Sequence, residues 1–367
     1  MEIKTYDAFE LFELIRSEDF SKMPVIPIST HRAGSHILNP RQQKGDVLMI
    51  IAYEGTDMVG YLGVFADDIY NSEGEQYHCG WLSCMWVNPL LRGQGIAKQL
   101  LKTAFEKWNN HLLVTEFTPE AKALYDRSGY FTDLRTNVGL RCYLRSCLHE
   151  VMPKKSKRFI PFTGVLRAID TLANIPIELS QVFRFKKLES KLTFEWVYEI
   201  DDALGDFICA NQTKSFERRA ALEFFWIKKY KWLHSSPPTP ESMKYHFSSV
   251  ANRFENRTIK VCEGKTIKGY LHITIRDGHL KVPYAYYHTT IADDIARYLY
   301  QTAYIERATM VTVFNKGIVE ALEKISLPFI YKRQMKRNYI ITKALDVHFS
   351  ERELIDIQDG DGDAVFT

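Results

Sequence analysis

Several features are scarce or missing in this chain, and each absence removes a class of protein. Six cysteines among 367 residues are too few for a disulfide scaffold, and neither Cys79/Cys84 nor Cys142/Cys147 has the close spacing of a zinc pair. They read as reduced thiols, and no metal is expected. A surplus of one charge is also missing: 48 lysines and arginines face 45 acidic residues, so the formal net charge is only +3. That balance lacks the broad positive field behind non-specific nucleic-acid binding. No uncharged apolar run is long enough to span a bilayer, and Met1-Glu2-Ile3-Lys4 does not open a basic-then-apolar signal region. Neither nucleic acid nor a membrane is expected as a partner, and a cytoplasmic location is the default.

What is present is ordinary globular material, 46% hydrophobic and 25% charged. The length exceeds the roughly 250 to 300 residues at which single cores stop growing, so two domains are expected. The chain also repeats itself. Glu54-Gly55-Thr56-Asp57-Met58-Val59-Gly60-Tyr61-Leu62 lines up without a gap with Glu263-Gly264-Lys265-Thr266-Ile267-Lys268-Gly269-Tyr270-Leu271. Each copy lies between two alternating strands, and the glycine at the turn makes each a β-hairpin. After the first hairpin the pattern predicts a strand at 80–87, a helix, a strand at 112–117, a short helix and a strand at 138–144. The same order follows the second, at 281–287, 291–304, 309–314, 318–325 and 331–342.

Between the copies, Met152-Pro153-Lys154-Lys155-Ser156-Lys157-Arg158 is a charged, helix-breaking run, and an amphipathic segment follows from Phe162 to Phe185. The run reads as solvated linker in preference to a localisation or membrane-surface patch, and the segment as a helix packed between domains. The expected division is a first domain over 1–147, a linker with its helix over 148–192, a second domain over 193–350 and an acidic tail over 351–367.

The most informative stretch is Val87-Asn88-Pro89-Leu90-Leu91-Arg92-Gly93-Gln94-Gly95-Ile96-Ala97, between a strand and a helix. Ala97, Leu100, Leu101, Ala104, Phe105 and Trp108 share one helix face, opposite Lys98, Gln99, Lys102, Glu106 and Lys107. At the start of that helix the unpaired N–H groups and the positive end of the dipole form an anion site, and Gly93 and Gly95 let an oxygen-rich group approach the backbone. Arg92 adds a forked cation suited to phosphate. A P-loop would need Lys-Ser/Thr after its last glycine, and a dinucleotide fingerprint a third small residue in a βαβ unit; neither is present.

The string V-x-P-x-x-R-G-x-G-I-A resembles the acyl-CoA-binding motif of the GNAT superfamily of N-acyltransferases, whose [QR]-x-x-G-x-[GA] signature is met by Arg92, Gly95 and Ala97. The resemblance implies an α+β fold of two tandem GNAT-like domains, each a mostly antiparallel central sheet flanked by helices. It implies acyl-CoA, acetyl-CoA first, as cosubstrate, held by Met85, Trp86, Val87, Arg92, Gly93, Gln94, Gly95, Ile96 and Ala97. It also implies that the strand 81–87 splays from 112–117 to admit the pantetheine arm.

Thr118-Pro119-Glu120-Ala121-Lys122-Ala123-Leu124-Tyr125-Asp126-Arg127-Ser128-Gly129-Tyr130 has a Thr cap, an early Pro and a closing Gly, the marks of a short bounded helix. It is similar to the family's A-x-x-L-Y-x-x-x-G-[FY] segment, which implies that Tyr125 is the general acid at the cofactor sulfur. A carboxylate base of the family type is absent from Trp81-Leu82-Ser83-Cys84-Met85-Trp86, leaving His78 and Glu116 as candidates.

The second half reads Tyr286-Tyr287-His288-Thr289-Thr290-Ile291-Ala292-Asp293-Asp294 where the glycine loop should recur, and its acidic pair would repel a pyrophosphate. Glu323 falls where the tyrosine is expected, so one active site is anticipated. The tail Asp356-Ile357-Gln358-Asp359-Gly360-Asp361-Gly362-Asp363 ends before the closing Glu of a calcium loop and reads as a solvated acidic end. The expected activity is transfer of an acyl group to the primary amine of a small molecule or peptide. The alternative is a non-catalytic acyl-CoA-binding or scaffold module; a transferase dependent on aminoacyl-tRNA ranks last, since the clusters at Lys228 to Lys231 and Lys332 to Arg337 are too short for a basic groove.

Overall fold

The computed structural model describes residues 1–184 and 190–366. Residues 185–189, part of the stretch read as linker, and Thr367, at the end of the acidic tail, lie outside the described residues. The strands are β1 (Glu2–Tyr6), β2 (Met49–Glu54), β3 (Asp57–Tyr70), β4 (Gln76–Val87), β5 (Leu112–Thr115), β6 (Phe131–Tyr143), β7 (Leu192–Val197), β8 (His234–Ser235), β9 (Val250–Ala251), β10 (Phe254–Glu263), β11 (Thr266–Arg276), β12 (His279–Tyr287), β13 (Met310–Val313) and β14 (Tyr331–Thr342).

Two compact units form, and neither is continuous in sequence: one takes 1–137, 199–254 and 336–367, the other 138–198 and 255–335. The division thus differs from the consecutive one expected at 147 and 193. The second half of β6, in the first copy of the repeat, pairs with β13 of the second copy. The end of β14, in the second copy, pairs with β5 of the first. Each repeat lends its last strand to the other unit's sheet. Local alternation fixes that a strand exists, while its partner is chosen by long-range packing.

In the first unit the sheet runs β1-β2-β3-β4-β5-β14, antiparallel except for the parallel pair β4/β5. Its core gathers Leu48, Ile50, Ile51, Val59, Leu62 and Val64 with Leu100, Leu101 and Ala104 of the helix Ile96–Lys107. The C-terminal segment belongs to this unit and is buried, contrary to the solvated tail expected from its acids. Its apolar residues decide the matter: Ile355, Ile357, Val365 and Phe366 are buried, and the Phe366 ring lies 4.7 Å from Trp232 and 5.6 Å from Phe65. The acids find partners inside. Arg337 reaches Asp359 at 2.8 Å, and Glu217 accepts the Gly362 N–H at 2.6 Å while pairing with Arg219.

In the second unit the order is β6-β13-β12-β11-β10-β7, antiparallel except for parallel β12/β13. Val261, Leu271, Ile273, Leu280 and Val311 form its core with Ile295 and Leu299 of the helix Ala292–Ile305. The repeat is visible in the packing. A Cβ on Gly60 would meet Ile96 Cγ2 at 3.0 Å and the Trp86 carbonyl at 3.1 Å; one on Gly269 would meet Tyr287 Cβ at 3.1 Å and Ile291 Cδ1 at 3.4 Å. In both copies glycine lets the residue at the mouth of the following helix sit on the hairpin.

Candidate active site

The cradle is built by local chemistry. At the end of β4 the Asn88 N–H donates to the Val59 carbonyl at 2.9 Å, and the Asn88 side chain accepts from Leu90 N–H at 3.1 Å, turning Pro89–Leu91 into a single tight turn. Gly93 and Gly95 then take φ of +88° and +82°, which side-chain-bearing residues rarely adopt. Gly95 is the N-cap of the helix Ile96–Lys107, and no side chain closes its first N–H groups. An added Cβ at Gly93 or Gly95 would find nothing within 4 Å, so the loop faces open space. Arg92, Gly93, Gln94 and Gly95 are exposed, while Ile96 is buried and Ala97 half-buried. This is an anion-binding helix start with an accessible backbone, and a pyrophosphate fits it.

β4 pairs with β5 at Gly80–Leu112 and Trp81–Leu113, whereas Thr115 of β5 pairs with Tyr339 of β14. Past Trp81 the two strands part, leaving Met85, Trp86 and Val87, all half-buried, along the opening. Just before them β4 bulges. Leu62 of β3 faces both Cys84 and Met85, and Cys84 has φ of +52°. A bulge re-aims the strand where pairing ends and frees backbone groups from the ladder.

Tyr125 sits on the helix Pro119–Ser128, bounded as expected by the Thr118 cap, which accepts from Ala121 N–H at 3.3 Å, and by Gly129 at φ of +72°. It shares the core cluster of Ile96 and Leu100 with Met85, Trp86 and Val87, its ring between Phe117 at 6.1 Å and Phe131 at 5.3 Å. Burial pushes its phenol up, so it stays protonated at neutral pH.

The two base candidates are elsewhere engaged. His78 lies nine residues before Val87, about 30 Å away along an extended strand. It bonds Asp68 at 2.8 Å through Nδ1 and Asp46 at 3.0 Å through Nε2. Burial works against its charge, but the two carboxylates outweigh it and raise its pKa to about 9, so it has no free lone pair at neutral pH. Glu116, at φ of +53°, is ion-paired with Arg337.

A polar cluster at the bulge escaped the reading of the sequence. The buried Arg32 guanidinium donates to Cys84 Sγ at 2.6 Å, to Tyr245 OH at 3.2 Å, to Ser83 Oγ, and to Asp363 Oδ2 at 3.3 Å; it also stacks 3.6 Å above Trp232. Ser83 Oγ also donates to Asp363. Burial pushes the Asp363 carboxyl up against the pull of Arg32 and Ser83. The only local signal was the carboxylates of the tail; their partners come from three distant segments.

Residues 45–131 match the model of the acetyltransferase (GNAT) domain, a stretch that runs from just before β2 to the start of β6 and contains the cradle and Tyr125. Among solved structures, the chain is similar to the GCN5-related N-acetyltransferase of Anabaena variabilis ATCC 29413, at 10% identity over 94% of this chain and 73% of that one, with a TM-score of 0.52. It is similar to the same degree, TM-score 0.52, to Saccharomyces cerevisiae N-myristoyltransferase with bound myristoyl-CoA, at 12% identity over 93% of this chain and 82% of that one. No curated protein matches the chain in sequence. The match to the GNAT acetyltransferase domain thus covers the stretch that holds the cradle, and the mixed α/β fold of the chain is that of the solved structures it resembles. Among the described residues there is no group of side chains that could hold a metal ion.

Proposed function

We propose that the protein transfers an acyl group, acetyl first among them, from its CoA thioester to the primary amine of a small molecule or peptide in one direct step. The observation that carries this reading is the glycine-lined helix start at Gly93–Ile96 opening beside the parting of β4 and β5, with Tyr125 in the same cluster. The pyrophosphate of CoA would sit on the N–H groups of the cradle with Arg92 beside it. Met85, Trp86 and Val87 would line the pantetheine arm, ending near the bulge.

The neutral amine attacks the thioester carbonyl; the C–N bond forms as the C–S bond breaks. Backbone N–H groups released from the ladder at the bulge stabilise the developing oxyanion. The amine proton goes to Asp363, the carboxylate that bonds Ser83 and Arg32 beside Cys84; its upward shift brings it nearer the pKa of a working base. The phenol of Tyr125 supplies the proton taken by the departing thiolate. A panel of amines with acetyl-CoA, read by release of free thiol, tests the reading. Thiol release with at least one amine, lost in Tyr125→Phe without loss of acetyl-CoA binding, is the expected result; absence of release across the panel contradicts it.

A further inference from the structure

The helix Thr163–Arg184 of the second unit is docked by its polar face. Asp170 accepts from Leu148 N–H at 2.8 Å and His149 N–H at 2.9 Å. Asn174 accepts from Ser146 N–H at 2.7 Å, Gln181 donates to the Leu144 carbonyl at 2.6 Å, and Glu178 pairs with Arg145 at 2.9 Å. Positions 170, 174, 178 and 181 share one face by helical spacing. The opposite face carries Val165, Ile169, Leu172, Ile175, Leu179 and Phe183, and all are exposed, Leu172 to 69% and Phe183 to 86%.

Helical spacing puts no charged side chain among these residues, and the stripe runs the length of the helix, about 33 Å at 1.5 Å per residue. Scattered exposed leucines need no explanation, but a continuous apolar face turned outward on a helix held by its polar side does. The amphipathic segment, expected as a helix packed between domains, buries its polar face.

Charge identifies what covers it. From Lys154 to Ile169 the chain has Lys154, Lys155, Lys157, Arg158 and Arg167 and no acid, and all five basic residues are exposed. Ile160 and Phe162, also exposed, extend the apolar surface to the foot of this basic run. Cations beside a long apolar stripe are the composition of a helix that lies in the interface of an anionic bilayer, its apolar side sunk at the acyl boundary and its lysines among the headgroups. None of the described helices is long and apolar enough to cross a membrane, so the contact is with one leaflet. We infer that the helix Thr163–Arg184, with the basic run before it, docks the protein on anionic lipid membranes. This stands on observations separate from the acyltransferase reading.

Co-flotation of the full chain with vesicles tests it. Binding to vesicles with 30% phosphatidylserine is expected, with little to pure phosphatidylcholine. Leu172→Glu with Leu179→Glu should lower partitioning tenfold or more. Because Lys154, Lys155 and Lys157 are exposed, their change to Gln leaves the fold alone; it should cost about fivefold per lysine and weaken the salt dependence, with Arg158 and Arg167 still in place. Absence of flotation with anionic vesicles overturns the proposal. So does wild-type partitioning by the lysine variant. A concentration-dependent dimer in sedimentation, abolished by Leu172→Glu, would assign the face to a second copy and overturn it equally.

Discussion

At the end of β4 the chain runs through Asn88 to Gly95 before its helix begins; at the end of β12 it takes only His288-Thr289-Thr290-Ile291. Before these turns the two copies obey one packing rule, a Glu-Gly hairpin with Gly60 or Gly269 seating the head of the next helix. After them the chemistry parts. The first helix opens on left-handed Gly95 with free N–H groups, the second on Asp293 and Asp294, which already occupy the positive end of the dipole. The bulge of β4 falls at Cys84–Met85, next to the cradle, while that of β12 falls at Val282–Pro283, further from its turn. In the second copy Tyr287 donates to Asn315 at 2.6 Å, and a Cβ on Gly317 would stand 2.5 Å from that hydroxyl. A fold survives duplication through its glycines and core, whereas a site survives only if one turn keeps its backbone open.

The comparison is broken or sharpened by substitution. The largest effect belongs to the chemistry of the first unit: Tyr125→Phe or Asp363→Asn should lower kcat by about 10² to 10⁴ fold, with acetyl-CoA affinity retained, while Glu323→Gln in the second unit leaves kcat unchanged. Steady-state kinetics with a responsive amine checks this. Next comes the shared packing. Gly60→Ala should cost about 1 to 3 kcal/mol through overpacking against Ile96 and Trp86. Gly269→Ala should cost less, since its nearest contacts are slightly longer; denaturant unfolding measures both. Equal, negligible costs would undo the packing rule.

The smallest effect is a pH dependence confined to the first unit. The pKa of His78 is raised from 6.5 to about 9 in the fold, so its contribution to stability is fully present below pH 6.5 and disappears as pH rises through 9. Thermal unfolding should show the wild type losing more stability than His78→Gln across that window. Parallel curves would mean that the bonds to Asp46 and Asp68 do not shift this histidine.

How much of this was legible in the sequence follows from the range of each interaction. Cradle, caps and hairpins were readable because their determinants lie within a dozen residues: Pro89, Gly93 and Gly95, or Thr118 and Gly129. The exchange of β6 and β14 was not, since alternation marks a strand but not its neighbour. The cluster at the bulge was further out of reach, with Arg32 and Asp363 separated by 331 positions. The tail misled because acids usually mean solvent, and here Asp359 and Asp363 meet Arg337 and Arg32 inside. The helix at Thr163–Arg184 misled in the opposite sense, because periodicity reports two faces and not which one is docked.

The central claim is that the first copy binds the acyl donor at Gly93–Ile96 and the second does not. Calorimetric titration of acetyl-CoA into the wild type and into an Arg92→Glu, Gly95→Glu variant tests it most directly. One molecule bound per chain with micromolar affinity, lost in the variant while its thermal unfolding stays cooperative, is the predicted result. Two sites per chain, affinity unchanged in the variant, or no binding by the wild type would contradict it.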